Sequence, residues 1–136
     1  MAGYSGTPLV KKLGIKPGFT AAFLNAPSGF IRELGLPERV IVTRRTSQPL
    51  DFVMVFAKRE HDLEQRFAYC AARLKPDGMI WVAWPKKSSK VITDLSFANV
   101  QRIGLDAGLV DTKICAVDEV WSGLRFVFRL KDRRKK

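Results

Sequence analysis

Histidine and cysteine are almost absent from this chain: one His and two Cys in 136 residues. A metal centre built on imidazole or thiolate has too few ligands here, and two isolated cysteines cannot make a disulfide framework. Cys70 falls among Ala and Leu at helical spacing and Cys115 in an apolar run, so both are read as small core residues. The solitary His61 sits in Arg59-Glu60-His61-Asp62 with no second histidine near it, and is expected as an exposed residue at a helix start. No apolar run reaches membrane-spanning length and the start, MAGYSGTPLV, has no basic-then-apolar signal, so the expected setting is the cytoplasm. Acids are scarce too: 13 Asp and Glu stand against 24 Lys and Arg, a net charge of +11. Such a surface attracts polyanions, phosphate-bearing or acidic ligands, or is simply a basic surface with no dedicated partner.

What the chain does have is apolar strand material. Met79 to Trp84 (MIWVAW) carries no charge and lies between Lys75-Pro76-Asp77-Gly78, read as a turn, and Pro85. Such a run is what a central strand covered on both faces needs. Trp81 and Trp84 are three apart on it, so they should face opposite layers. Phe52 to Ala57 (FVMVFA) reads the same way, Phe19 to Leu24 (FTAAFL) is a small-residue strand, and Val40 to Val42 a short one.

Helices fall between these strands. Thr7-Pro8 reads as a cap and first helical residue before Leu9, Val10 and Leu13, with Gly14 as the stop. Phe30 to Leu34 is a brief helix with Ser28 as its expected cap, ended by Gly35. Residues 60 to 74 carry Leu63, Phe67, Cys70, Ala71 and Leu74 at helical spacing, with Glu60, Asp62 and Glu64 in the first turn. Residues 96 to 107 are capped by Ser96 and bury Phe97, Val100, Ile103 and Ala107. Leu109 to Trp121 then reads as a long strand, Ser122-Gly123 as a tight turn, and Leu124 to Leu130 as the antiparallel return. Asp118 and Glu119 point to opposite faces of that strand and so do not pair for acid–base work.

Strands alternating with helices argue for one α/β domain over residues 1–130, a mainly parallel sheet between two helical layers, with KDRRKK (131–136) as a basic tail. Ligands of open α/β sheets bind beyond the carboxyl ends of the strands, where the strand order reverses. That rule gathers Asn25, Ser28, Lys58, Arg59, Trp84, Lys86 and Lys87 as ligand-binding candidates. A flat ring among cations suits a phosphate-bearing ligand with a base; alternatively Trp84 fills the core and the lysines keep the rim soluble. Arg129, Lys131, Arg133, Arg134, Lys135 and Lys136 form the densest basic cluster, either a contact for polyanion backbones or a solvated tail.

The order of elements resembles a shortened class I methyltransferase, the Rossmann-like fold that binds S-adenosylmethionine. Lys16 to Gly29 (KPGFTAAFLNAPSG) sits where that family has its first strand and glycine-rich loop. Leu74 to Trp84 is similar to its later turn and strand, and Ala107 to Phe128 to its closing hairpin. The resemblance implies a sheet order 2-1-3-4-6-5. Over nearly its full length, notably TPLVKKLGIKPG, WVAWPKK and AVDEVWSGLRFV, the chain also resembles a family of small bacterial proteins of unknown function. Two departures bear on the cofactor. Asn25 and Pro27 occupy the first two glycine positions, leaving Gly29, and the second strand ends in Thr43-Arg44-Arg45 rather than an acid for ribose hydroxyls. No cofactor is therefore expected. The leading expectation is a non-catalytic binding module for a nucleotide, nucleic acid or other anion. A divergent methyltransferase and an interaction domain using the sheet edge are its rivals.

Overall fold

The computed structural model describes residues 6–44 and 49–135, with side chains as far as Arg133. The first five residues, Arg45 and Lys136 of the expectations above lie outside the described residues, as do the side chains of Arg134 and Lys135. Six strands form one sheet in the order β2-β1-β3-β4-β6-β5. They are β1 (Thr20–Leu24), β2 (Ile41–Val42), β3 (Leu50–Phe56), β4 (Leu74–Pro85), β5 (Leu109–Ala116) and β6 (Trp121–Phe128). The pairs β1–β2, β1–β3 and β3–β4 are parallel, whereas β4–β6 and β5–β6 are antiparallel. The expected order and closing hairpin are both present.

Alternation along β3 and β4 explains why these strands are apolar throughout. Val53, Val55, Ile80, Val82 and Trp84 enter one core, under α3 (Glu60–Ala71) and α4 (Phe97–Asp106). Phe52, Met54, Phe56, Trp81 and Ala83 enter the other, on the side of α1 (Leu9–Leu13) and α2 (Phe30–Leu34). Trp81 and Trp84 thus face opposite layers, as their spacing requires.

Local chemistry corrects several boundaries. Pro8 is the N-cap of α1, not its first residue, and Thr7 makes no cap bond. Helix α2 is preceded by Gly29 in the left-handed region (φ 82°), so Ser28 does not cap it. The expected turn at Lys75–Gly78 is an irregularity inside β4: Leu50 pairs with Leu74, but Phe52 pairs with Met79. Pro76 has no N–H for the ladder, and a Cβ on Gly78 would stand 2.9 Å from the Leu50 carbonyl oxygen. The Lys75–Asp51 ion pair, 3.1 Å, braces the shifted stretch.

Helix α4 is capped as expected, Ser96 accepting from the Asn99 N–H while Asn99 accepts from the Ser96 N–H. Its buried face is Val100, Ile103 and Gly104, so Phe97 and Ala107 are exposed. Gly104 sets that rotation: a Cβ there would overlap the Phe126 ring. The hairpin turn also moves. It occupies residues 117–120, where the Asp118 carboxylate accepts from the N–H groups of Val120 (2.8 Å) and Trp121 (2.9 Å). Gly123 lies within β6 instead, because a Cβ there would stand 3.1 Å from the Trp81 ring. The C-terminal segment, expected as a free tail, winds into a 3-10 helix, Leu130–Lys135, lying against β4. Arg133 Nε donates to the Phe128 carbonyl at 3.2 Å.

Candidate ligand cleft at the reversal of strand order

Strands β1 and β3 are neighbours, yet the chain leaves them towards opposite layers, α2 after β1 and α3 after β3. A cavity of about 390 Å³ opens between their carboxyl ends. Asn25 supplies one wall. Its φ of 59° is left-handed, a conformation that Asn tolerates better than most residues because its short amide can bond locally. The turn that the expected glycine would make is therefore kept by another residue. Beyond it the Pro27 carbonyl accepts from the Phe30 N–H at 3.0 Å, closing the loop into α2.

The opposite wall is Lys58-Arg59, held rigidly from behind. The Lys58 carbonyl accepts from Thr93 Oγ1 (2.6 Å) and the Asp94 N–H (3.2 Å). Asp94 Oδ1 then accepts from the Glu60 N–H at 2.7 Å, so an internal carboxylate already occupies the positive end of α3. An incoming anion would meet the Lys58 and Arg59 side chains rather than that helix end. Asp62, the one acid lining the cleft, is paired with Arg66 at 3.0 Å.

The aromatic wall is Trp121, set edge-on to Phe56 with centroids 5.1 Å apart. Sequence reasoning misses it, because a turn placed at Ser122-Gly123 leaves Trp121 inside a strand. Asp118 three residues earlier, with its turn-forming carboxylate, is the available signal.

Of the seven candidates, Asn25, Lys58 and Arg59 come together on the cleft. Trp84 does not; it is 6% exposed, inside the core under α3 and α4. Ser28 is exposed and outside the lining. Lys86 donates its backbone N–H to Val120 at 2.7 Å, and Lys87 begins a 3-10 turn; neither lines the cleft. In the basic cluster Arg129 and Lys131 are exposed and Arg133 is half-buried.

A larger cavity, about 540 Å³, lies beside the first, and no sequence pattern points to it. Leu24 of β1, Thr43 and Arg44 after β2, and Gln65, Arg66 and Tyr69 of α3 line it. Arg44 stands at the end of β2, where the methyltransferase pattern would have an acid. Neither cysteine takes part in these sites: burial pushes the Cys70 thiol up to about 11, and raises that of Cys115.

This architecture is a methyltransferase-like fold, the one the sequence resembles, and solved structures bear out that likeness. A methyltransferase of this class from Aquifex aeolicus is 17% identical with a TM-score of 0.61, over 87% of this chain and 86% of that one. Precorrin-6y C5,15-methyltransferase from Geobacter metallireducens gives 0.61 at 10% identity, over 89% and 86%. Magnesium protoporphyrin IX methyltransferase from Synechocystis, with S-adenosylmethionine bound, gives 0.61 at 10% identity, over 89% and 74%. At such identities the likeness is one of fold. Among curated proteins no sequence match is found. The chain belongs to the family described as protein of unknown function (DUF3052), whose pattern matches residues 36–130.

Proposed function

We propose that the protein is a non-catalytic binding module for a phosphate-bearing ligand of nucleotide size, held in the cleft between β1 and β3. One observation carries this reading. Lys58 and Arg59 stand together on the cleft beside the Trp121 ring, and among the described residues neither has an acidic partner. Cations of this kind make charge-assisted hydrogen bonds to phosphate oxygens. An indole face or edge can pack against a base, and the Asn25 amide can both donate and accept. The exposed Arg129 and Lys131 would add attraction for longer polyanions without selecting among them. A cytoplasmic setting is part of the proposal: two isolated cysteines offer no disulfide framework of the kind small secreted domains use.

A divergent methyltransferase is the second reading, favoured by the left-handed Asn25, which keeps a tight turn after β1. Pro27 in that loop and Arg44 at the end of β2 weigh against it. Calorimetric titration with ATP, GTP, inorganic phosphate and S-adenosylmethionine separates the two. Saturable nucleotide binding that Lys58→Glu or Trp121→Ala removes is the expected result. Micromolar S-adenosylmethionine binding, with no response to either nucleotide, would replace the module with the enzyme.

A further inference from the structure

The sheet ends on β5, which pairs with β6 and with no further strand among the described residues. An edge strand presents unpaired backbone groups to any strand that can meet them. The turn after β5 fixes which groups these are. Val117 donates its N–H to the Trp121 carbonyl at 3.0 Å, so residue 117 bonds towards β6. Bonding direction alternates along a strand. Cys115 therefore bonds towards β6 as well, and the N–H and carbonyl of Ile114 and Ala116 point away from it. Pro85 agrees with this phase: it lies opposite Trp121 on the far side of β6 and has no N–H to give. The irregularity between Asp111 and Lys113 closes the open stretch at one end, and the turn at 117–120 closes it at the other.

Side chains leave this stretch accessible. Ile114 pairs with Leu124, and Ala116 with Ser122 opposite Trp84, so both lie on the side of α3 and α4. Ile114 is 57% exposed, and Ala116 is exposed too. Lys113 lies on the α1 side, its ammonium donating to the Lys12 carbonyl at 3.2 Å. Among the described residues neither Lys113 nor the exposed Glu119 has an ion-pair partner. Along the chain, the stretch runs from a cation (Lys113) through apolar Ile114 to Val117 to the anions Asp118 and Glu119.

We propose that two copies of the chain join edge to edge through β5, antiparallel about a two-fold axis at Cys115. That axis sets Ile114 opposite the second copy's Ala116, and Ala116 opposite its Ile114. In both pairs the outward groups exchange N–H···O bonds in each direction. Moving the axis to Ile114 or to Ala116 keeps only one such pair. The same register lays the large Ile114 side chain beside the small Ala116. It also sets Lys113 of each copy opposite Val117 of the other, next to the Asp118–Glu119 turn, twice by symmetry. A parallel pairing would put like charges together instead. The net charge of +11 opposes association, but it is spread over the whole surface and screened beyond about 8 Å at physiological ionic strength.

Sedimentation velocity on the intact, nuclease-treated protein should show a concentration-dependent monomer–dimer equilibrium. Ala116→Pro removes an outward N–H and spares the ladder to β6. It should weaken the dimer at least tenfold and leave the circular dichroism of the monomer unchanged. Lys113→Glu and Glu119→Lys should each weaken the dimer at least fivefold, and combining them should restore it, a rescue that damage to the fold would not give. Lys58→Glu changes the net charge as much as Lys113→Glu does and should not weaken the dimer. In this register the two Cys115 form a non-hydrogen-bonded pair with Cα atoms about 4.5 Å apart, within reach of a disulfide. Copper–phenanthroline, as oxidant, should link two chains in the native protein and in Cys70→Ala, and not in Cys115→Ser. A monomer up to about 1 mM would overturn the proposal. So would a dimer insensitive to Ala116→Pro, or one that Cys115 does not cross-link. A dimer that nuclease dissolves would assign the contact to bridging nucleic acid instead. One that forms only when residues 1–5 are removed would assign the edge to the chain's own N-terminus.

Discussion

The indole N–H of Trp81, in the middle of the sheet, donates to the carbonyl of Leu13 at 2.8 Å, joining residues 68 positions apart. Leu13 is the last residue of α1, where helix carbonyls lose their intrahelical partners. A five-residue helix has little stability of its own. Its place on the sheet therefore rests on this bond and on Leu13, which is fully buried beside Trp81. Trp81→Phe retains most of the packing and leaves the carbonyl unpaired, so it should cost about 1–3 kcal/mol. Trp81→Ala should cost roughly 3–5 kcal/mol. Urea denaturation measures both, and a negligible loss for Trp81→Phe would mean that the bond contributes nothing.

The junction of α4 with the sheet depends on the smallness of one residue. Gly104 faces the Phe126 ring so closely that an added Cβ would overlap it. Phe126 is fully buried and meets Phe67 of α3 edge-on at 5.2 Å, so it has no free direction of retreat. Ordinarily Gly→Ala in a helix is stabilising. Here the overpacking should prevail, and Gly104→Ala should lower stability by about 1–3 kcal/mol. Pairing it with Phe126→Leu should recover part of that loss, an outcome a double-mutant cycle reads directly.

A dependence on alkaline pH follows from Cys70. Burial holds its thiol protonated until about pH 11, against 9.0 for an ordinary thiol. Between those values the unfolded chain releases a proton that the folded chain keeps, so stability falls as pH rises. The contribution is fully present below pH 9 and is lost by about pH 11, with an upper size of about 2–3 kcal/mol. Other effects of alkali act on both proteins alike, so the comparison must be with Cys70→Ala. Between pH 8 and pH 11 the native protein should lose more stability than that variant does, measured as the shift in urea midpoint.

Much of this fold is legible in residues that must satisfy two faces at once. Phe52 to Ala57 and Met79 to Trp84 are apolar at every position because both helical layers press on them, and the pattern leaves little room for another reading. The site is less legible because its geometry turns on single residues. The strand-end rule alone finds Lys58 and Arg59. It points to Trp84 rather than Trp121, because the hairpin turn reads most simply at a glycine that serves instead as clearance for Trp81. Asn25 reads as a missing glycine, whereas its side chain tolerates the same backbone angle. The larger cavity leaves no pattern to follow, since Leu24, Arg44 and Tyr69, which line it, come from three separated stretches of the chain.

The basic C-terminus and the cleft make separable demands on any anionic ligand. Leu130–Lys135 forms a 3-10 helix folded against β4, with Arg129 and Lys131 exposed on it or beside it. The cleft cations Lys58 and Arg59 follow β3 and are tied from behind by Thr93 and Asp94. Deleting residues 131–136 should weaken binding to RNA and DNA of every sequence alike if the cluster grips backbones. It should also flatten the dependence of log affinity on log salt by about 0.7–0.9 for each phosphate the cluster no longer neutralises. The same deletion should leave ATP binding in the cleft unchanged. Lys58→Glu should remove ATP binding and shift the salt slope for long RNA by no more than about one phosphate's worth. If the deletion abolishes ATP binding as well, the C-terminal turn is part of the cleft's ligand site, and the two basic regions act as one surface.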